Sequence, residues 1–150
     1  MLSGKNGSII IDDSYNSSPT AVEGALNTLK VFPHARRRIA VLGDMLELGR
    51  YSVMEHERIA VLAGTSADII VTVGIRARAF AVASNGVEVL KFDNARAAAT
   101  ALVDMVREGD VILVKGSQSI RTERIVEALL AHDEDRTKLV RQEKKWKQKV

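Results

Sequence analysis

Apolar residues fall in short continuous runs separated by amphipathic stretches. Ser8–Asp12 (SIIID), Arg38–Leu42 (RIAVL), Asp68–Val73 (DIIVTV), Val87–Phe92 and Val111–Val114 read as strands. Between them, Pro19–Phe32 places Val22, Ala25, Leu26 and Leu29 on one helical face, with Ser18 as N-cap, Pro19 in the first turn and Pro33 as the stop. Ser52–Gly64 repeats the pattern with Val53, His56, Ile59, Ala60 and Ala63 on one side. Ile75–Ser84 reads as helical before a turn at Asn85-Gly86. Asn94–Arg107, capped by Asp93 or Asn94, is a further helix, and a last one runs from about Ile120 to Ala131.

Strands that are apolar on both faces belong in a sheet covered on both sides. The alternation therefore predicts an α/β fold: a three-layer, Rossmann-like open sheet, mostly parallel, with helices on both faces and right-handed crossovers. In such sheets ligands gather beyond the carboxyl ends of the strands. That places Asp12, Asp13, Ser14, Tyr15, Asn16, Gly43, Asp44, Gly74, Lys115, Gly116 and Ser117 along one edge.

Composition narrows the setting. The 150 residues suit one domain, and 46% hydrophobic with only 4% aromatic residues predicts an aliphatic core. The absence of cysteine excludes disulfides and thiolate metal sites and fits the reducing cytoplasm. No apolar run approaches the ~20 residues of a membrane span, and MLSGKNGS carries no signal segment. The excess positive charge sits late: Arg136, Lys138, Arg141, Lys144, Lys145, Lys147 and Lys149 face only Glu143 between residues 136 and 150. We expect a domain over 1–132, a hinge at His132–Asp135 and a basic helical tail over 133–150. Its charge reads as a solvated surface in preference to a nucleic-acid or membrane contact.

Several chemistries are absent. There is no G-x-x-x-x-G-K-[ST] loop to cradle a triphosphate, no G-x-G-x-x-G after the first strand and no G-x-S-x-G. The histidines, His34, His56 and His132, are dispersed without metal-ligand spacing and read as surface or helix-packing residues; no metal site is expected. A receiver-like signalling module could use Asp12, Asp13 and Lys115 around a metal and a phosphoryl group. That module needs an aspartate at the end of the third strand, where VTVG stands, and a proline after the lysine, where Gly-Ser stands.

Three stretches carry a resemblance: DDSYNSSP (Asp12–Pro19), VLGDMLELG (Val41–Gly49) and VKGSQSIRTE (Val114–Glu123). In order and spacing they resemble the C-terminal domain of the Mur ligases, from about Gly7 to the end of the last helix. Within that family the likeness is greatest to the branch that joins D-Ala-D-Ala to a UDP-MurNAc-tripeptide. The resemblance implies an ATP-dependent amide ligase of peptidoglycan synthesis, in which a carboxylate is activated as an acyl phosphate and attacked by the dipeptide amine. It also implies that ATP and Mg2+ are held mainly by a central domain, that an N-terminal domain holds the UDP-sugar, and that the full enzyme is a monomer. This chain would be the third domain alone and inactive by itself; a free-standing binding module on the same fold is the other reading.

The resemblance places Asp13 at the nucleotide ribose, with Tyr15 and Asn16 in the nucleotide-facing loop. Asp12 reads as a turn acid. Ser18 stands where the family pattern has asparagine and reaches less far toward substrate. Asp44 and Glu47 can receive a cation, either the dipeptide ammonium or a basic residue of a neighbouring domain, while Met45 can touch a substrate methyl or simply pack. Lys115 either meets the dipeptide carboxylate, with Ser117 supplying a donor, or pairs with Asp13 or Asp44 across the sheet edge.

Overall fold

In the computed structural model, residues 1–81 and 85–140 are described. A six-stranded sheet runs in the order β1-β2-β6-β3-β4-β5, comprising β1 (Leu2–Gly4), β2 (Ser8–Asp13), β3 (Arg37–Gly43), β4 (Ile69–Val73), β5 (Glu88–Phe92) and β6 (Asp110–Lys115). All neighbours are parallel except β1, which lies antiparallel against β2. The helices are α1 (Pro19–Val31), α2 (Ser52–Ser66), α3 (Ala95–Met105) and α4 (Glu123–Leu129).

Alternation along each strand shows why the runs are continuously apolar. Ile39 and Val41 of β3, Val71 and Val73 of β4, and Ile112 and Val114 of β6 pack under α3 and α4, against Leu102, Ile125 and Leu129. Their neighbours Ala40, Leu42, Ile70, Val111 and Leu113 face α1 and α2, against Leu26, Leu29, Ile59 and Ala63. Successive side chains point to opposite faces and both faces are covered, so the strand interiors are almost wholly aliphatic, with the buried Thr72 of β4 as an exception. The three-layer, mostly parallel fold is as expected. β6, the last strand in sequence, inserts between β2 and β3, so the loops that leave those strands flank its end.

The N-caps are the residues the sequence offers. The Ser18 hydroxyl accepts from the Ala21 amide at 3.3 Å and the Asn94 side chain from the Ala97 amide at 3.0 Å. One strand is new and three expectations change. The three-residue β1 carries too short a pattern to be read, yet it closes the edge of β2 and is itself bonded outward by the Ala131 amide to the Ser3 carbonyl at 2.9 Å. The described part of the stretch expected as helical over Ile75–Ser84 is a 3-10 turn over Arg76–Ala81 rather than an α-helix. The last helix begins at Glu123, because Arg121 takes a left-handed φ of 62° that interrupts it after a 3-10 turn over Gln118–Ile120. Val53 is exposed rather than buried.

The stretch expected as a hinge is docked. Asp133–Lys138 forms a 3-10 turn, Asp135 and Leu139 are buried, and Leu139 joins the core under α4. Arg136 pairs with Asp133 at 3.5 Å and Lys138 with Asp135 at 2.7 Å, so part of the late positive charge is balanced locally. The expected helical tail over 141–150 lies outside the described residues.

At the amino end of the sheet, Arg37 and Asp110 are register partners on β3 and β6. The guanidinium donates to both carboxylate oxygens at 2.8 and 2.7 Å and also to the Met105 carbonyl, while Asp110 accepts from the Arg107 amide. The hydrogen bonds that Arg37 donates to Asp110 raise its pKa above the ordinary value, outweighing partial burial. Asp110→Asn keeps the shape but leaves the arginine charge unbalanced, and is expected to cost about 3 kcal/mol of unfolding free energy. Urea denaturation reads this directly; a loss well below 1 kcal/mol would mean that the pair does not fix β6.

Candidate functional site at the carboxyl edge of the sheet

Two loops leave the ends of β2 and β3, and the segment Lys115-Gly116-Ser117 at the end of β6 holds both. Asp13 and Lys115 are register partners on β2 and β6. The lysine side chain is only 2% exposed; its Nζ lies 3.0 Å from Asp13 Oδ2 and donates to the main-chain carbonyls of Asp13, at 3.4 Å, and of Asn16. A buried ammonium has three donors to satisfy, and this cradle supplies three acceptors. The Asp13 side chain remains 46% exposed, so the carboxylate is gripped on one oxygen and open to ligand.

The rest of the first loop is self-bonded. Asp12 Oδ1 accepts from the Ser14 hydroxyl at 2.6 Å and the Ser14 amide at 3.2 Å, the turn role its sequence suggested, and its Oδ2 accepts from the Val140 amide at 3.0 Å. Asn16 Oδ1 accepts from the Ser17 amide at 2.8 Å, Tyr15 is exposed, and the Ser18 hydroxyl is engaged in capping α1.

The second loop follows Gly43. Its first three amides donate to three different elements: Asp44 to the Val73 carbonyl at 3.1 Å, Met45 to His56 Nε2 at 3.0 Å, and Leu46 to Ser117 Oγ at 3.1 Å. The Ser117 amide returns a bond to the Asp44 carbonyl at 3.4 Å. The Asp44 carboxylate is buried and accepts from the Ala77 amide at 2.6 Å, which ties the loop to the 3-10 turn after β4. It fits only because residue 74 is glycine, with φ +111°; a Cβ there would sit 2.6 Å from the carboxylate. Met45 is fully buried, so it packs. Glu47, by contrast, is exposed in a left-handed conformation, φ 63°.

Of the residues singled out in the sequence, Asp13, Asn16 and Lys115 are thus joined in one cluster, and Asp44, Met45 and Ser117 in another beside it. The Lys115 ammonium is engaged with Asp13, the alternative to a substrate carboxylate. Arg121 pairs with Glu123 at 2.5 Å. Among the described residues no group of three or more His, Cys, Asp or Glu is placed to hold a metal ion, and no helix is long and apolar enough to cross a membrane. A cleft of about 390 Å³ bordered by Lys30, Arg38, Thr65 and Asp68 lies at the opposite end of the sheet, where Arg38 is engaged with the Leu29 and Phe32 carbonyls.

The sequence model of the family described as Mur ligase, glutamate ligase domain, matches residues 1–118. The chain belongs to the Mur ligase family. It is 34% identical over 146 residues to the UDP-N-acetylmuramoyl-tripeptide–D-alanyl-D-alanine ligase of Mycobacterium leprae, a match covering 83% of this chain and 28% of that ligase. To the ligase of the same name from Escherichia coli K12 it is 35% identical over 124 residues, 81% of this chain and 26% of that one. The crystal structure of MurF ligase from Thermotoga maritima in complex with ADP superposes with a TM-score of 0.70 at 31% identity, over 88% of this chain and 30% of that chain. This Mur ligase chain therefore spans less than a third of the length of these relatives.

His56 is the residue that sequence reasoning passed over. It is buried, as a helix-packing histidine is, but it also accepts from the Met45 amide. The available signal was a histidine on the apolar face of the helix that directly follows the GDMLELG loop.

Two outcomes test this geometry. Lys115→Met removes the donors from the first loop and is expected to speed amide exchange over Ser14–Ser17 about tenfold or more, with the strand amides unchanged; unchanged loop exchange would mean that the lysine is not its anchor. Gly74→Ala forces a side chain onto the Asp44 carboxylate at positive φ and is expected to cost about 2 kcal/mol or more in urea denaturation. Wild-type stability in that variant would disprove the close packing of Asp44.

Proposed function

We propose that this chain is the C-terminal domain of an ATP-dependent ligase that adds D-Ala-D-Ala to UDP-MurNAc-tripeptide, and that its carboxyl edge binds the dipeptide and faces the nucleotide. The observation that carries the reading is the Asp13 carboxylate, fixed by a buried lysine yet half open at the switch of the sheet. A carboxylate presented in this way is suited to accept the paired hydroxyls of a ribose. The names of the relatives, and a Thermotoga maritima neighbour solved in complex with ADP, support the ligase reading as a whole.

In this reading Tyr15 and Asn16 line the nucleotide side, and Ser18 fixes the start of α1 behind them. Glu47 receives the dipeptide ammonium, and Asp44, Met45 and Ser117 hold it in place. Lys115 acts through Asp13 and the Asn16 carbonyl. ATP with Mg2+ supplies activation of the tripeptide carboxylate, and both are held mainly by the central domain of the full enzyme, with the UDP-sugar on an N-terminal domain. In this reading the full enzyme is monomeric and works in the cytoplasm. By itself the chain orients a nucleophile and catalyses no ligation.

An amide NMR titration of the chain with D-Ala-D-Ala, against L-Ala-L-Ala, tests the dipeptide assignment. Selective shifts over 44–49 with the D-isomer are expected. No response, or the same response to both isomers, would remove the dipeptide site from this domain.

A further inference from the structure

We infer that His56 is a positioning residue for the loop that presents Glu47, acting through a single N–H···N hydrogen bond to Met45; its link to substrate rests on the dipeptide reading above. The buried start of this loop must satisfy consecutive amides in different directions. A carbonyl takes Asp44 and a hydroxyl takes Leu46, but the Met45 amide meets an imidazole nitrogen at 3.0 Å.

An amide can only donate, so Nε2 must be an acceptor and the ring proton must sit on Nδ1. Nδ1 lies 2.7 Å from the Ser52 carbonyl one turn back on α2, which accepts that proton. The ring is thus held at both nitrogens, and Phe80 packs against it with centroids 5.2 Å apart at 51°. It is fully buried, so no solvent stands ready to replace the acceptor. Two residues beyond Met45, Glu47 adopts φ 63°, a conformation that a non-glycine residue holds only when its surroundings impose it. For packing alone an apolar side chain would serve in this place; what the loop requires is an acceptor at the Nε2 position.

The test compares His56→Gln, which carries a carbonyl oxygen to the Nε2 position, with His56→Asn, which places a polar group only near Nδ1. Amide exchange at Met45 and Leu46 is measured in the 150-residue chain, together with the affinity for D-Ala-D-Ala. His56→Gln is expected to stay close to wild type. His56→Asn is expected to accelerate Met45 exchange about tenfold or more and weaken the dipeptide about as much, with β3, β4 and β6 amides unchanged. Equal behaviour of the two variants at Met45 would overturn the proposal. Should His56→Asn fail to fold, scalar coupling across the hydrogen bond between the Met45 nitrogen and His56 Nε2 decides in the wild-type chain, and its absence would overturn the proposal. If the exchange contrast holds but wild type ignores D-Ala-D-Ala, the dipeptide reading fails while the loop anchor stands.

Discussion

A lysine ammonium buried at the end of β6 needs acceptors, and the fold supplies them by bending the chain after β2 back over it. Taking an ammonium out of water costs several kcal/mol unless every donor is met. Lys115 therefore dictates the path of Asp13–Asn16: one carboxylate oxygen and two main-chain carbonyls must converge on Nζ. The shape of the first loop follows from that demand more than from its own turn residues, which add the Asp12–Ser14 bonds on top.

The second loop hangs from the same segment. Two residues after Lys115, Ser117 donates its amide to Asp44 and accepts from Leu46, and Gly116 between them lets Thr122 approach to within 2.7 Å of where a Cβ would stand. Both loops thus share an anchor because β6 inserts between the strands they leave. The anchor is steady because β6 is fixed at its other end by the Arg37–Asp110 pair. Since β6 is the last strand in sequence, neither loop can take its final form until the most distant pairing in the sheet is made.

Legibility in the sequence follows the range of the interactions. The strands were readable because burial on both faces leaves an unmistakable apolar run, and Ser18 and Asn94 announced their helices through local caps. Strand β1 was not readable, because three residues carry no period and its partners are near residues 8–10 and 130–131. The break at Arg121 and the docking of Leu139 depend on contacts made at long range. At the site, spacing named Asp13, Asp44, Lys115 and Ser117 correctly as neighbours of one edge, but could not say which charges were already engaged. The pairing of Lys115 with Asp13 rather than with ligand is a matter of register, and the Met45–His56 bond depends on where α2 lies over the sheet.

What those engagements leave over bears on the chemistry of the edge. Lys115, Asp44 and Arg121 have partners within the domain, whereas the half-open Asp13 and the exposed Glu47 remain presented by the two loops. The charge these loops offer is negative. Carboxylates accept hydrogen bonds from hydroxyls and ammonium groups, and they repel phosphate oxygens. Such loops suit a ribose and the amino end of a short peptide, and a polyphosphate is better held where donors and cations converge, as they do in glycine-rich loops and at metal ions. The exposed carboxylates of Asp13 and Glu47 give these two loops an acidic character. The edge accepts hydrogen bonds and cations because the cations Lys115 and Arg121 are already engaged within the domain.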